Sequence, residues 1–562
     1  TDWITGMDIS CYILLIDATL FQENERCTAY LNAVTRPKLV RTLLEECIIA
    51  HADAIFDAVK DILRSIYDNT QAEDNVAIRH DKAHIMERLF WFCSQCQAVE
   101  SADPSFALVT RLCSVFQSYV ADLGLKIVED RRIEVARVAD DSKVAKPQPT
   151  LDADVMTITS ILRLFQYVPE IVRDVFGNEN SFKQATKDAF TSIVNADMGK
   201  FGVMHLLAAY CDNLLKGSLK ESETEVDRRL TACIDVFKHL LDKDMFADLH
   251  RSFLAKRLLS KRSVSSDSEK LIVGLMKMQC GAQFTSKLEG MLHDYHLASD
   301  AQREYDAELK VWQAQQCTEV RQIVFSNMLL TSTYWPTQRP RAYVLPSEMR
   351  VLQDHYSEWY KGKYSVRVLQ WVATLGDVAV AMVLDNKRDF ELTVTVLQAV
   401  VLRCFHERRG DICFDTIKQL SGITEEEVLK RVLHSLSCQK FKILVKSSES
   451  KNLALDSFRT NTNFTNKLRK FRVPMAALDD ADQGGVSRGM QVDRSNAVDA
   501  SIVRVMKARK VLSHNDLMSE VLRQISTFQP DVRFIKQRIE SLIEREFLER
   551  DLGDARCYKY LP

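Results

Sequence analysis

Glycine and proline are scarce in this chain, at 17 and 11 of 562 residues. So few turn formers favour long helices joined by short turns over a sheet-rich plan. Cysteines are scattered: of 14, only Cys93 and Cys96 fall close together, which argues against a disulfide framework and suits reduced thiols in the cytoplasm and nucleus. Charge of one sign is also lacking. The formal balance is -2, so partners are expected to be selected by local patches and not by a global pull toward nucleic acid or anionic membrane. No apolar run is expected to reach the ~18 to 20 residues that cross a bilayer. The opening TDWITGMDIS has no basic stretch leading into an apolar one, so no signal sequence is expected. The chain also opens without Met, which suggests a natural start further upstream.

Catalytic signatures are missing as well. TLGDVAV lacks the further glycines and the lysine of a phosphate cradle. There is no nucleophile elbow and no cysteine in a protease context. A self-contained enzyme would need one of these, so a non-catalytic role is expected. His80, His84, Cys93 and Cys96 have the donor types of a zinc site. They lie in or beside the helical stretch IRHDKAHIMERLFWFCSQC, whose aromatic residues call for burial, so the expectation is no metal and no cofactor.

With 46% hydrophobic and 27% charged residues, most of the length can fold, as about three to five modules. From residue 8 to about 128, apolar residues recur at three- and four-residue spacing, which predicts a helical-repeat rod. The polar stretch VEDRRIEVARVADDSKVAKPQPTLDADV reads as a linker, after which helices resume to about residue 312. Beyond residue 320, QIVFSNMLLTSTYWPT and YSVRVLQWVATLGDVAVAMVL are rich in β-branched and aromatic residues and predict an α/β module. ELTVTVLQAVVLRCF, FDTIKQLSG ended by Gly422, TEEEVLKRVLHSL and FKILVKS read as helix, helix, helix and strand, a winged helix. Thr424 and Glu427 have the spacing of a capping box on the third helix. A polar tether follows, and then the same order returns: VDASIVRVMKARK, SHNDLMSEVLRQI and PDVRFIKQRIESLIEREF. The last carries an apolar stripe through Val532, Ile535, Ile539, Leu542 and Phe547, and two short strands flank Gly553.

A winged helix raises nucleic-acid binding as an alternative function. Glu540, Glu544, Glu546 and Glu549 among the bases of the third helix would repel phosphate and favour a protein partner. Lys256, Arg257, Lys261 and Arg262, with Arg251, form a basic cluster. That cluster is either a solvated helix face or a patch for an acidic partner peptide.

The segment DMFADLHRSFLAKRLLSKRSVSSDSEKLIVGLMKMQCGAQFTSKLEGMLHDYHLA closely resembles the central signature of the cullin family, and YWPT, LPSEMRVLQDHYSEWYKGKYSVRVLQWVATLG, IKQLSGITEEEVLKRVLHSLSCQKFKILVK and the tail IVRVMKARKVLSHNDLMSEV resemble further cullin segments in cullin order. The match is strong from about residue 200 to the end and looser upstream. Subfamily features point to both cullin-3-like and cullin-4-like members. The resemblance implies a mainly α fold: helical cullin repeats, a helical bundle, a small α/β module and two winged-helix domains. It places helical repeats at 1–199 with the first repeat missing, the bundle at 200–320, the RING-box-binding α/β module at 321–389, the first winged helix with returning strands at 390–475, a flexible linker at 476–496 and the C-terminal winged helix at 497–562.

The function the resemblance implies is that of a non-catalytic scaffold in a cullin-RING ubiquitin ligase. Its expected partners are a RING-box protein that carries its own zinc, a ubiquitin-conjugating enzyme, a ubiquitin-like modifier with its conjugating machinery, and a substrate adaptor that would meet a missing or divergent N-terminal repeat. A cullin-associated exchange factor and a deneddylating signalosome complete the set. No membrane partner is expected.

The family's modifier-acceptor motif corresponds here to IVRVMK, which makes Lys507 the acceptor, with Val505 a mild departure and Lys510 the alternate acceptor. Ile502, Val503 and Met506 are expected to face a core and Arg504 and Lys507 solvent, with Arg509 close by. Without the family, Lys507 would read as an ordinary solvated lysine. The RING-box strand is expected to dock at IVFSNMLLTSTYW, through Val324, Phe325, Asn327, Leu329 and Trp335. That stretch is either an open strand edge or a strand already paired on both sides.

Overall fold

The computed structural model describes residues 8–30, 35–69, 76–99, 108–141, 151–198, 201–219, 221–315, 320, 322–336, 341–383, 389–407, 410–438, 441–447, 456–475, 488–551 and 556–561. Two compact units result, one of Thr1–His250, Ser263–Ala282 and Val492–Pro562, the other of Arg251–Arg262 and Gln283–Gln491.

The first unit opens as the expected helical array: α1 (Ile9–Tyr30), α2 (Thr35–Leu44), a π turn (Glu45–Ile49), α3 (Ala52–Asn69), α4 (Val76–Val99), α5 (Leu108–Asp141), α6 (Leu151–Asp174), α7 (Asn180–Val194), α8 (Val203–Leu215) and α9 (Glu223–Phe237). The interval predicted as a linker is thus helical at both ends, where α5 runs on to Asp141 and α6 begins at Leu151. Helix α3 shows the rule behind the array. Its Ile55, Val59, Ile62, Leu63 and Ile66 recur at helical spacing, and all are buried, against α4 and α5.

Phenylalanines bind the layers together. Phe176 stacks on Phe182 at 4.0 Å, and Phe90 and Phe116 meet both rings edge-on, each pair adding about 0.5–1.5 kcal/mol beyond its burial. Within α6, Asp154–Asp174 is long and apolar enough to cross a bilayer by length and composition. This corrects the expectation that no run is long enough. Its Ile158, Ile161, Leu164, Val168 and Val172 are buried in contact with the neighbouring helices α5, α7, α8 and α9.

Helices α10 (Lys243–Leu259), α11 (Ser266–Cys280) and α12 (Ala282–Gln313) follow. The second unit takes up most of α12, then α13 (Ser347–Lys363), β1 (Asp377–Val383), β2 (Asp389–Thr395), α14 (Val396–Glu407), β3 (Ile412–Cys413), α15 (Phe414–Ser421), α16 (Glu426–Ser437), β4 (Leu444–Lys446), β5 (Ser457–Thr460) and β6 (Lys470–Arg472). Tyr305 of α12 and Tyr356 and Tyr360 of α13 are buried in an aromatic core with Trp312, Trp359 and Trp371 packed around them. Strand β2 pairs antiparallel with β1 and parallel with β6, leaving β1 at the sheet's edge. The α/β sheet therefore takes one strand, β6, from the returning strands that follow α16.

Two local expectations are corrected in this winged helix. ELTVTV is strand β2, and only the second half of that segment is helix. Alternating burial of Phe390, Leu392 and Val394 is the period-two pattern that its β-branched residues favour. Thr424 and Glu427 do not form a capping box: the residue before α16 is Glu425, and it makes no side-chain cap. Gly422 does end α15, at φ +66° with its N–H donating to the Lys418 carbonyl at 3.1 Å, and a Cβ there would meet Val344 Cγ2 at 2.5 Å.

From Val492 onward the chain belongs to the first unit, and its last part holds α17 (Arg488–Arg509), β7 (Val511–Ser513), α18 (His514–Gln524), α19 (Val532–Glu544), β8 (Leu548–Arg550) and β9 (Cys557–Tyr560). The sheet order is β7-β9-β8, all antiparallel, so this is the predicted winged helix. Ser513 caps α18 by accepting from Asp516 N–H, and Asp531 caps α19 by accepting from Arg533 N–H. Ile535, Ile539 and Leu542 are buried as expected, but Val532 and Phe547, at the ends of the stripe, are 47% and 44% exposed. Gly553 lies outside the described residues. The flexible linker predicted at 476–496 is helical from Arg488 onward, and its earlier part lies outside the described residues.

Candidate functional site

Helix α17 is pinned along one face. Val498, Ile502, Val505 and Met506 are buried in the core of the C-terminal winged helix, with Val503 partly buried against it. Val505, noted from sequence only as a departure from the motif, is a core residue at 2% exposure. Buried Ser501 donates to Gln524 Oε1 at 3.1 Å. Asp499 accepts from Arg538 at 2.8 and 2.5 Å and from Arg545 at 2.5 Å. Burial would raise the Asp499 pKa, but these two guanidinium groups outweigh it and hold the carboxyl below its ordinary value.

The four cations near the end of α17 divide into two kinds. Arg509 donates to Glu520 at 3.0 Å. Lys510, at φ +68° just past the helix end, places its ammonium over the Tyr560 ring at 5.3 Å, and its carbonyl accepts from Tyr560 N–H at 2.9 Å. The side chains of Arg504 and Lys507 are exposed and form no ion pair or hydrogen bond among the described residues. Lys507 is thus an unengaged amine on a helix whose other face is fixed. Its alternate, Lys510, is held against a ring.

In the second unit, IVFSNMLLTSTYW is not a strand paired on both sides: among the described residues it joins no β-ladder. Ile323–Leu330 forms neither helix nor β-ladder, and the Phe325 carbonyl and Asn327 N–H face one glutamine, Gln302, as neighbouring groups on one edge of an extended chain do. Ile323, Phe325 and Leu329 pack on the aromatic core of α12 and α13, while Val324 is 95% exposed. Asn327 is half-buried. Trp335 is a buried anchor that donates to Asp294 Oδ2 at 2.9 Å, and the same carboxylate accepts from Thr331 N–H and Oγ1 at 2.8 and 2.9 Å. Sequence reasoning missed Asp294, since a carboxylate in a long helix gives no local sign of a partner 41 residues away.

The basic cluster is broken up. Lys256, Lys261 and Arg262 are exposed, but Arg257 is fully buried, because it follows Leu254 and Ala255 onto the packed side of α10. Cys93 is buried in the core while His84 is exposed beside Glu87 at 3.5 Å. These two zinc candidates therefore do not converge. The side chains of His80 and Cys96 lie outside the described residues. Among the described residues no three His, Cys, Asp or Glu groups are placed to hold a metal.

A helical array, an α/β sheet with an open edge, and a winged helix with an exposed lysine on its first helix recur together in one family of known proteins. The chain matches the cullin alpha solenoid domain over residues 1–302, the cullin alpha+beta domain over 329–464 and the cullin protein neddylation domain over 493–554. It is 31% identical to Cullin-2 of Arabidopsis thaliana over 555 residues, covering 98% of this chain and 70% of that protein. It is 30% identical to Cullin-1 of Oryza sativa subsp. japonica over 547 residues, 96% and 69% of the two chains. Cullin-4A of Mus musculus is 35% identical over 418 residues, 74% and 53%. The chain belongs to the cullin family, the scaffolds of ubiquitin ligases, and the likeness extends through the first 200 residues that sequence motifs matched only loosely.

Proposed function

We propose that this cullin holds a RING-box subunit, and through it a charged ubiquitin-conjugating enzyme, near adaptor-bound substrate, and that Lys507 accepts the ubiquitin-like modifier that switches the assembly on. The observation that carries this reading is the unengaged amine of Lys507 on a helix fixed along its other face. The scaffold itself breaks no bond. Its contribution is proximity, which raises the effective concentration of substrate amine at the enzyme's thioester.

Modification of Lys507 is an acyl transfer. The Lys507 side chain gives up a proton to the conjugating machinery, and its amine attacks the modifier's thioester carbonyl. An isopeptide bond forms and the conjugating enzyme's thiolate leaves. An exposed, unpaired lysine reaches that thioester without first breaking an ion pair. Attachment would then release the C-terminal winged helix, and equal amide-exchange protection before and after modification would refute that step.

The RING-box strand would add to the extended segment at Val324–Leu329, whose outward side is unpaired. The same reading gives the assembly a substrate adaptor, an exchange factor and a deneddylating signalosome as partners, in the cytoplasm and nucleus. The test is co-expression with a RING-box subunit followed by a ubiquitin-chain assay with a conjugating enzyme. Co-elution and RING-dependent chain formation are expected. A chain that elutes alone and shifts duplex DNA in a salt-sensitive way would overturn the reading in favour of nucleic-acid binding.

A further inference from the structure

An extended segment without a strand partner must place its backbone N–H and C=O groups somewhere. Five of those in Val320 and Ile323–Thr331 go to side chains of helix α12. Gln313 Nε2 donates to the carbonyls of Val320 and Ile323 at 3.2 and 3.0 Å. Gln302 Oε1 accepts from Asn327 N–H at 2.9 Å, and its Nε2 approaches the Phe325 carbonyl at 3.4 Å. Asp294 accepts from Thr331 N–H at 2.8 Å. Asp306 accepts from Gln302 Nε2 at 2.6 Å, which fixes the amide so that its oxygen faces Asn327.

Residues 323, 325 and 327 therefore each turn one backbone group toward α12. In an extended chain the alternate residues turn theirs the other way. Val324, Ser326 and Met328 indeed form no hydrogen bond among the described residues. One edge of the segment is satisfied by a helix and the opposite edge is bare.

We propose that Gln302 and Gln313 are positioning residues: side-chain rungs that stand in for a neighbouring strand and hold this segment extended, so that its free edge is formed before a RING-box strand arrives. The proposal rests on the RING-box reading and adds the device that prepares the site. An unordered acceptor would lose backbone entropy at the moment of binding, and ordering it in advance lowers that cost.

The test uses the full chain and a purified RING-box subunit. Gln302→Ala strands the Asn327 amide, and roughly tenfold weaker RING-box binding is expected, with faster amide exchange in peptides covering 323–331 and an unchanged melting temperature. Gln313→Glu keeps the shape but sets a carboxylate against two carbonyls. Its binding should be weak at pH 7.5 and recover relative to wild type toward pH ~5, as a carboxyl raised by those carbonyls gains a proton and donates again. A merely structural role predicts no such pH-dependent recovery. Wild-type binding and exchange in both variants would overturn the proposal. Should wild type itself not bind, the RING-box reading fails, while the exchange of 323–331 still decides whether the rungs hold the segment.

Discussion

Arg494 near the start of α17 grips Asp244 at the start of α10. Its Nε donates to one carboxylate oxygen at 2.5 Å and its Nη2 to the other at 2.7 Å, and the same Nη2 reaches Asp242 at 2.9 Å. The guanidinium also lies over the Phe528 ring at 4.7 Å, and Asp244 N–H donates to the Thr527 carbonyl at 3.2 Å. Burial alone would lower the Arg494 pKa, yet the two carboxylates raise it. Helix α17 and the α18–α19 loop are therefore fastened to one point of the helical array, at the far end of the helix that presents Lys507.

Arg494→Ala should loosen that fastening without unfolding either element. Losing charge-assisted hydrogen bonds of this kind costs about 1.5–3 kcal/mol, read as faster amide exchange in peptides covering 490–500 and 525–531. Unchanged exchange would mean that the ion pairs add nothing to docking.

Met506→Ala probes the packed side of α17. Met506 is fully buried beside Lys507, so the cavity should cost about 2–5 kcal/mol. The melting transition of the C-terminal winged helix should fall and modification of Lys507 should slow. Modification at the wild-type rate would show that the conjugating machinery does not need a fixed helix.

Asp294→Ala removes the acceptor of three hydrogen bonds and strands the buried Trp335 indole, at about 1–3 kcal/mol per orphaned donor. Tryptophan emission should shift to the red as the turn at 331–335 opens, and RING-box binding should weaken. An unshifted spectrum would show the turn is held by packing alone.

His239 gives the first unit a pH dependence. Burial lowers its pKa, helped by Lys187 and Lys243, and its ring meets Phe165 and Phe190 edge-on at 5.5 Å. A histidine depressed in the folded state is protonated first in the unfolded chain, so stability is full above the ordinary value of ~6.5 and falls as pH drops from there toward the folded value. The melting temperature should decline from pH 7 to about 5.5, and His239→Gln should flatten that slope.

The periodic helices, the α15 stop at Gly422, both winged helices and the buried side of the Lys507 helix were legible because each rests on local spacing. What escaped the sequence depends on distant partners. ELTVTV looked helical in continuity with VLQAVV, and only pairing with β1 and β6 makes it a strand. Arg488–Asn496 looked like a tether because its polar residues have little to bury, whereas Arg494 is held by carboxylates about 250 positions away. Arg257 counted as a surface charge until packing placed it inside α10. The segment at 323–330 had a strand's composition but found helix side chains instead of a ladder.

The most direct test of the account is intact mass after incubation of the RING-box-bound chain with the modifier and its conjugating enzymes, for wild type, Lys507→Arg and Lys510→Arg. A single modifier adduct on wild type and Lys510→Arg, absent from Lys507→Arg, is the predicted result. An adduct that persists on Lys507→Arg, or a wild-type chain that binds the RING-box subunit and stays unmodified, would contradict the assignment of Lys507 as the acceptor.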